Sequence, residues 1–369
     1  ATLDSTATLD STATLDSTAT LDSTAMLYST ATLDSTATMR ARLVGAGPAQ
    51  RLSLVVSAAL ALVVLVARPA DAAALVHGAA ASGEELLSWW QAAILGIVEG
   101  ITEYLPISST GHLLVVSRLL GLPSEEGSAG LEAVNTYAVA IQFGAILAVV
   151  GLFWRRFVSM IAGLFGRDDG GRHLLIVLVI AFLPSAIVGF LFDNAIESAL
   201  FGPWPVVVAW VIGGIVILVL ERSGRIPDRG VAAAPGTDPL LDITYRQALI
   251  IGLVQCLALW PGTSRSLTTI LAALLIGVAV PAAVEFSFLL GFATLSAASM
   301  FKMAKDGSVL IDQFGVVTPL IGVAFAFISA VIAIKWLVGY LQHHDLTIFA
   351  WWRFGAAAIT AGLLLSGVI

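Results

Sequence analysis

Glu99 and Glu103 stand four residues apart in a run that is otherwise apolar, ending at Pro106. On a helix that spacing places both carboxylates on one face, one turn from each other. Two carboxylates that close in a low-dielectric setting do not both stay charged without a cation, so the pair implies a bound divalent metal or one carboxylate held protonated. A metal would clamp phosphate oxygens, whereas a proton would make a donor or a base. Ser108, Ser109 and Thr110 follow Pro106, where helical amides lose their partners, and hydroxyls and N–H groups at such a break cradle anions. His112 lies three positions beyond Ser109 and adds a base, completing the parts of nucleophilic catalysis.

A second break, at Pro261, carries Gly262, Thr263, Ser264, Arg265 and Ser266. Arginine offers a planar fork that matches phosphate oxygens, which a lysine point charge does not reproduce. With the two prolines superposed, Arg265 falls opposite Thr110. Charged groups and hydroxyls inside apolar sequence are expensive to hold in a bilayer, so function is their first reading.

The elements that position these groups are membrane helices. Hydrophobic residues make up 58% of the chain and charged residues 12%, against about 25% charged in an ordinary soluble domain, and the mean hydropathy is +0.94. The net charge of -7 says little about partners, because Asp4, Asp10, Asp16, Asp22 and Asp34 fall in a polar leader. The single Cys256 excludes a disulfide framework within one chain.

The apolar phrase that begins at Gln91 returns in closely similar form at Gln247, and each copy runs into one of the Pro breaks. The pattern predicts a helix over 84–105 returning as a short helix over 111–120, then spans near 136–154, 174–192 and 204–220. It then restarts, with a helix over 244–260, a short return over 266–278, and spans near 283–300, 316–337 and 349–368. Each half, about 84–221 and 243–369, is a re-entrant hairpin plus three crossings, and an odd number of crossings inverts the half that follows. The expected fold is an all-α polytopic membrane protein with an inverted-topology repeat, its hairpin tips meeting inside the membrane.

Arg155, Arg156, Arg167 and Arg172 follow the first span and Arg222, Arg225, Arg229 and Arg246 the third, while the segments 123–135 and 193–203 hold no Lys or Arg. The positive-inside rule makes the arginine-rich loops cytoplasmic, against a minor dissent from Lys302 and Lys305.

Residues 1–38 repeat Thr-Leu-Asp-Ser-Thr-Ala with too little apolar surface to fold, and read as a low-complexity segment or as upstream repetitive DNA translated. Residues 39–72 read as an export leader: Arg40, Arg42 and Arg51, an apolar stretch over 52–66, then Ala70-Asp71-Ala72. Met39 is the expected start, Ala73 the expected mature N-terminus, and 73–369 the membrane domain.

Glu99 to His112 and Pro261 to Ser266 together resemble the undecaprenyl-diphosphatase family, the bacitracin-resistance type of membrane phosphatase; Gln142-Phe-Gly-Ala-Ile, Glu285-Phe-Ser-Phe-Leu-Leu and Trp352-Arg353 are lesser echoes. The resemblance implies hydrolysis of a C55 isoprenyl diphosphate to its monophosphate. It also implies stimulation by Mg or Ca ions, a homodimer, and a bacterial inner-membrane protein whose site opens to the outer face. A lipid is the expected partner, and no nucleic acid. Carried over to this sequence, the resemblance makes Glu99, Glu103, Ser109, His112 and Arg265 catalytic, with Glu99 and Glu103 also the metal ligands. Ser108, Thr110, Gly111, Gly262, Thr263, Ser264 and Ser266 are expected around the diphosphate. Ser109 is the expected nucleophile with His112 or Glu103 as its proton partner, and direct attack by activated water is the other route. Two positions depart from the family pattern: Leu267 replaces its usual Gly, and Gly291-Phe-Ala its Ala-Ile-Pro. The same architecture would serve a transporter of an anionic lipid. The acid-phosphatase-like lipid phosphatases need a His six residues after the Arg, where this chain has Leu271.

Overall fold

The computed structural model describes residues 86–125, 127–226 and 238–369. The leader and repeat readings over 1–72, with the start at Met39 and the terminus at Ala73, lie outside the described residues.

Every regular element among the described residues is a helix. Helix α1 (Trp89–Tyr104) begins in a capping box in which the Gln91 side chain reaches back to the Ser88 amide at 2.9 Å. It stops because Leu105 precedes a proline and is steered to the extended region, with φ -75° and ψ 146°. After the break comes α2 (Ser109–Leu119). Helices α3 (Ala129–Leu152), α4 (Trp154–Leu164), α5 (Asp169–Leu200) and α6 (Pro203–Arg222) complete the first half.

The second half repeats these causes. Helix α7 (Tyr245–Gln255) opens with a capping box between Thr244 and Gln247, tightens into a 3-10 turn over Cys256–Leu259, and ends at Trp260, again extended ahead of a proline. Then follow α8 (Arg265–Leu275), α9 (Val280–Phe314), α10 (Val317–Leu341) and α11 (Thr347–Leu365). Gln91 donates to Leu120 O and Gln247 to Ile276 O, each 29 positions on, so both hairpins are closed at the base by the same bond.

Among the described residues, six helices are long and apolar enough to cross a membrane: Ala129–Leu152, Asp169–Asp193, Pro203–Arg222, Val280–Lys305, Val317–Leu341 and Thr347–Leu365. They match the six predicted spans, and the protein is an all-α polytopic membrane protein. Packing exchanges elements between halves. Helix α1 lies on α10 and α7 lies on α5, while α3 pairs with α9 and α6 with α11. The first two contacts are close enough that a Cβ at Gly96 would overlap the backbone of Gly322, and one at Gly252 the backbone of Ala181.

The sequence pattern passes over α4, which falls in the expected loop after the first span. Arg155 and Arg156 break the apolar run there, yet Phe157, Met160 and Gly163 recur at helical spacing and are buried. Arg156 pairs with Asp238 and reaches Glu285 Oε1 at 2.7 Å, tying α4 to the segment before α7 and to the start of α9. The hydrogen bonds from Arg156 hold Asp238 below the usual carboxylate range, and pairing with Asp238 raises Arg156 further.

Candidate functional site

The two hairpin tips meet. Ser266 Oγ donates to Leu105 O at 3.0 Å across the join, and its hydroxyl lies 3.0 Å from that of Ser264. Each tip turns through a serine in a conformation that L-residues seldom adopt: Ser108 has φ 75° and ψ 108°, Ser264 φ 76° and ψ 113°. Strain of this kind costs roughly 1–3 kcal/mol per residue and persists where surroundings over-determine it. The turn makes the next residue, Ser109 or Arg265, the first of a helix. This corrects the register obtained by superposing the prolines: Arg265 is the counterpart of Ser109, not of Thr110. The prolines differ by one position because Leu105 and Pro261 occupy equivalent places ahead of the two turns.

At the join, one carboxylate holds both halves. Glu103 accepts a hydrogen bond from the Ser109 hydroxyl through Oε2 and one from Arg265 Nη2, at 2.8 Å, through Oε1. Arg265 is fixed further by Nη1 donating to Ser287 O at 2.9 Å and by the Tyr104 ring, whose centroid lies 5.5 Å from the guanidinium carbon. Its Nε is buried without a partner. Glu99, one turn before Glu103, is 0% exposed with neither carboxylate oxygen paired.

A cavity of about 760 Å³ lies over this join, with Glu103, Ser108, Ser109, Thr110, Ser264 and Arg265 at its floor. Gly262 also borders it. Phe182, Ala186 and Phe190 of α5 and Leu295 and Phe301 of α9 make its walls apolar, and it extends to Asp193 and Lys305 near the far ends of those helices. Two helix N-termini, those of α2 and α8, therefore border a space already holding a guanidinium, a setting that favours a phosphate group.

Of the residues singled out from sequence, Glu99, Gly111, His112, Thr263 and Ser266 do not border the cavity. His112 Nδ1 is 2.6 Å from Ser108 O, and Trp352 Nε1 donates to His112 Nε2 at 3.0 Å, which makes Nδ1 the protonated nitrogen. Both ring nitrogens are thus engaged, and the group that touches Ser109 is Glu103. Gly111 packs against the Trp210 ring. Gly262 has φ 95°, a conformation that suits glycine, and Thr263 offers its carbonyl to Arg353. Leu267, where the family usually has Gly, is buried in the core, and its amide is capped by Ser264 Oγ at 3.3 Å.

Two residues outside the predicted set hold the tips. Arg353, 0% exposed, donates to the carbonyls of Pro106, Ala209, Trp210, Gly262 and Thr263 at 2.8–3.3 Å. Trp210 Nε1 donates to Ile107 O at 3.0 Å. A lone Arg in an apolar helix is the signal that marks Arg353; Trp210, one tryptophan among nine, carries none.

Residues 92–359 match the family described as Bacitracin resistance protein BacA. The chain is 42% identical over 277 residues to an undecaprenyl-diphosphatase of Sorangium cellulosum, covering 74% of this chain and 86% of that protein. It is 41% identical over 286 residues to undecaprenyl-diphosphatase 2 of Rhodospirillum rubrum, covering 77% and 98%. With the undecaprenyl-diphosphatase of Nitrosomonas europaea it shares 43% over 280 residues, covering 76% and 96%. With both motifs gathered at one join and matches of this length, the chain belongs to the bacitracin resistance protein BacA family.

Proposed function

We propose that this protein hydrolyses undecaprenyl diphosphate to the monophosphate and inorganic phosphate, with Ser109 as nucleophile and Glu103 as its base. The observation that carries the reading is the Glu103 carboxylate shared between the Ser109 hydroxyl and Arg265 at the floor of a cavity with apolar walls. The walls suit an isoprenyl chain, and the floor suits its diphosphate.

The Ser109 oxygen attacks the terminal phosphorus and its proton passes to Glu103, while the bond to the bridging oxygen breaks and the lipid monophosphate leaves. Glu103 gives that proton to the departing lipid monophosphate. Water then attacks the phosphoserine, and Glu103 takes a proton from it and passes it to the Ser109 oxygen as its bond to phosphorus breaks, so that phosphate departs with Ser109 restored. Little covalent work falls to the protein in such a transfer, so positioning and charge stabilisation supply most of the rate. Arg265 provides that charge, and the free amides at the starts of α2 and α8 add to it. His112, tied to Ser108 O and Trp352, keeps the strained turn in place.

A divalent cation, Mg or Ca, belongs to the same proposal. The two orphaned oxygens of Glu99 fit a cation's ligand, and Glu99 with Glu103 would hold it. No group of three or more His, Cys, Asp or Glu among the described residues could enclose a metal, so substrate oxygens and water would complete a shell that needs about six. Bound there, the ion would neutralise charge on the phosphate.

An inverted repeat in the bacterial inner membrane, with the cavity opening outward, is the reading that the arginine asymmetry supports. Arg156, Asp238 and Glu285 gather at one end, and Glu221 accepts from Leu346 N at 2.8 Å, joining ends that the repeat places on the cytoplasmic side. A homodimer rests on the family resemblance alone. The test is phosphate release by protein purified in detergent from C55 and C15 diphosphates, with and without chelator. Hydrolysis needs one compartment and transport needs two, so turnover in micelles is the expected result, and its absence from correctly folded protein would overturn the proposal.

A further inference from the structure

Gln255 lies on the cavity wall and takes no part in the steps above. It is 2% exposed; its Nε2 donates to Ser185 Oγ of α5 at 2.5 Å, and its Oε1 is buried without a partner. A half-turn of the carboxamide keeps the two side chains paired if the Ser185 hydroxyl, which donates to Phe182 O at 3.0 Å, rotates to donate to Oε1 instead, and it swings the NH2 to the unpartnered side. A diphosphate offers acceptors and no donors, so the turned amide is the one a bound substrate selects.

The register of the hairpins sharpens the point. Gln255 holds the place in the second hairpin that Glu99 holds in the first, as Gln247 matches Gln91 and Ser264 matches Ser108. Glu99 does not border the cavity, whereas Gln255 does. A carboxylate at position 255 would repel a diphosphate in low dielectric; a carboxamide gives N–H donors and adds no charge. Its neighbours on the wall, Phe182, Ala186 and Leu259, are apolar, so Gln255 stands where the lipid chain gives way to its headgroup. The transferred phosphoryl group is the one beside Ser109 and Arg265.

We infer that Gln255, held by Ser185, is a substrate-binding residue that donates to the phosphate retained on the lipid. This rests on the hydrolytic reading, which turnover of the unaltered protein tests separately. The experiment measures kcat, KM and product inhibition for Gln255→Ala, Gln255→Glu and Ser185→Ala with C15 diphosphate, using C15 monophosphate and inorganic phosphate as the inhibitors. For both Gln255 variants KM and the monophosphate inhibition constant should rise together by about ten- to a hundredfold, the loss of one hydrogen bond to a charged group. The kcat should stay within about twofold and inhibition by inorganic phosphate should not change, since that ion sits with the transferred group. Ser185→Ala should move the same two constants by less, and it carries the test alone if the Gln255 variants do not fold. Unchanged KM and monophosphate inhibition, or a fall in kcat at constant KM, would overturn the assignment in a protein whose unaltered form is active.

Discussion

The first hairpin turns at Ser108 with φ 75° and the second at Ser264 with φ 76°, yet the residue after the turn is a hydroxyl in one and a guanidinium in the other. Capping boxes, base-closing glutamines and extended residues ahead of the break are shared, because the backbone needs them in both copies. Side chains that face the join are under no such constraint. Glu103 in the first half has Leu259 as its counterpart, and Glu99 has Gln255. The support differs as well: Trp210 holds Ile107 O of the first tip, while Arg353 spans both, holding Pro106 O of the first and Gly262 O and Thr263 O of the second. Two hairpins of one local geometry therefore present two helix starts to one space, and differences at a few positions place a hydroxyl at one start and a fixed guanidinium at the other.

Removing the chemistry of the first start should have the largest effect. Ser109→Ala is expected to lower kcat below about one ten-thousandth of wild type in a folded protein, while Ser108→Ala only weakens it. Retained turnover in Ser109→Ala would hand the attack to activated water. Glu103→Gln should cost about 10² to 10⁴ in kcat, the loss typical of an acid/base or electrostatic group. Glu99→Gln should do the same and shift the divalent-ion titration, and an unchanged titration in both variants would remove the carboxylate metal site.

The two clamps should separate by stability. Arg353→Met strands several buried carbonyls and should destabilise by about 3 kcal/mol or more, whereas Trp210→Phe loses one hydrogen bond, about 1 kcal/mol. Thermal unfolding in detergent reads both, and equal shifts would contradict this ranking of the two clamps. The smallest effect is expected at the far end. Asp238 is held low by Arg156, so its contribution is present above the ordinary Asp range and is lost as pH falls through the lowered value. Below about pH 4, wild type should lose its Tm advantage over Asp238→Asn, and a difference independent of pH would contradict that pairing.

Much of this was legible in the sequence because bilayers impose length and polarity so strictly. Six spans and two breaks follow from apolar runs and prolines, and Glu103, Ser109 and Arg265 stand out as polar groups in apolar text. Spacing along one strand of sequence does not show which base reaches Ser109, since His112 is three positions away and Glu103 six. The choice is made by the Ser108 turn, which aims the hydroxyl back at α1 and leaves His112 to Ser108 O and Trp352. The register of the tips was hidden for the same reason: prolines mark where a helix stops, whereas the equivalent backbone positions are the serines that follow. Arg353 and Trp210 act through carbonyls 90 or more residues away in the sequence, a relation that only the packing of α11 on α6 reveals.

In the proposed mechanism residues from both hairpins act on one phosphoryl group, and a double-mutant cycle between Glu103 and Arg265 measures that coupling. Glu103→Gln and Arg265→Lys each remove part of the shared hydrogen bond while keeping side-chain volume close to the original. Groups that work as a unit lose activity non-additively. If each single variant lowers kcat by about 10² or more, the double variant should be close to the worse single one, with KM changing far less than kcat. A double variant whose loss is the product of the two single losses would show that the hairpins act independently, and the shared site would have to be given up.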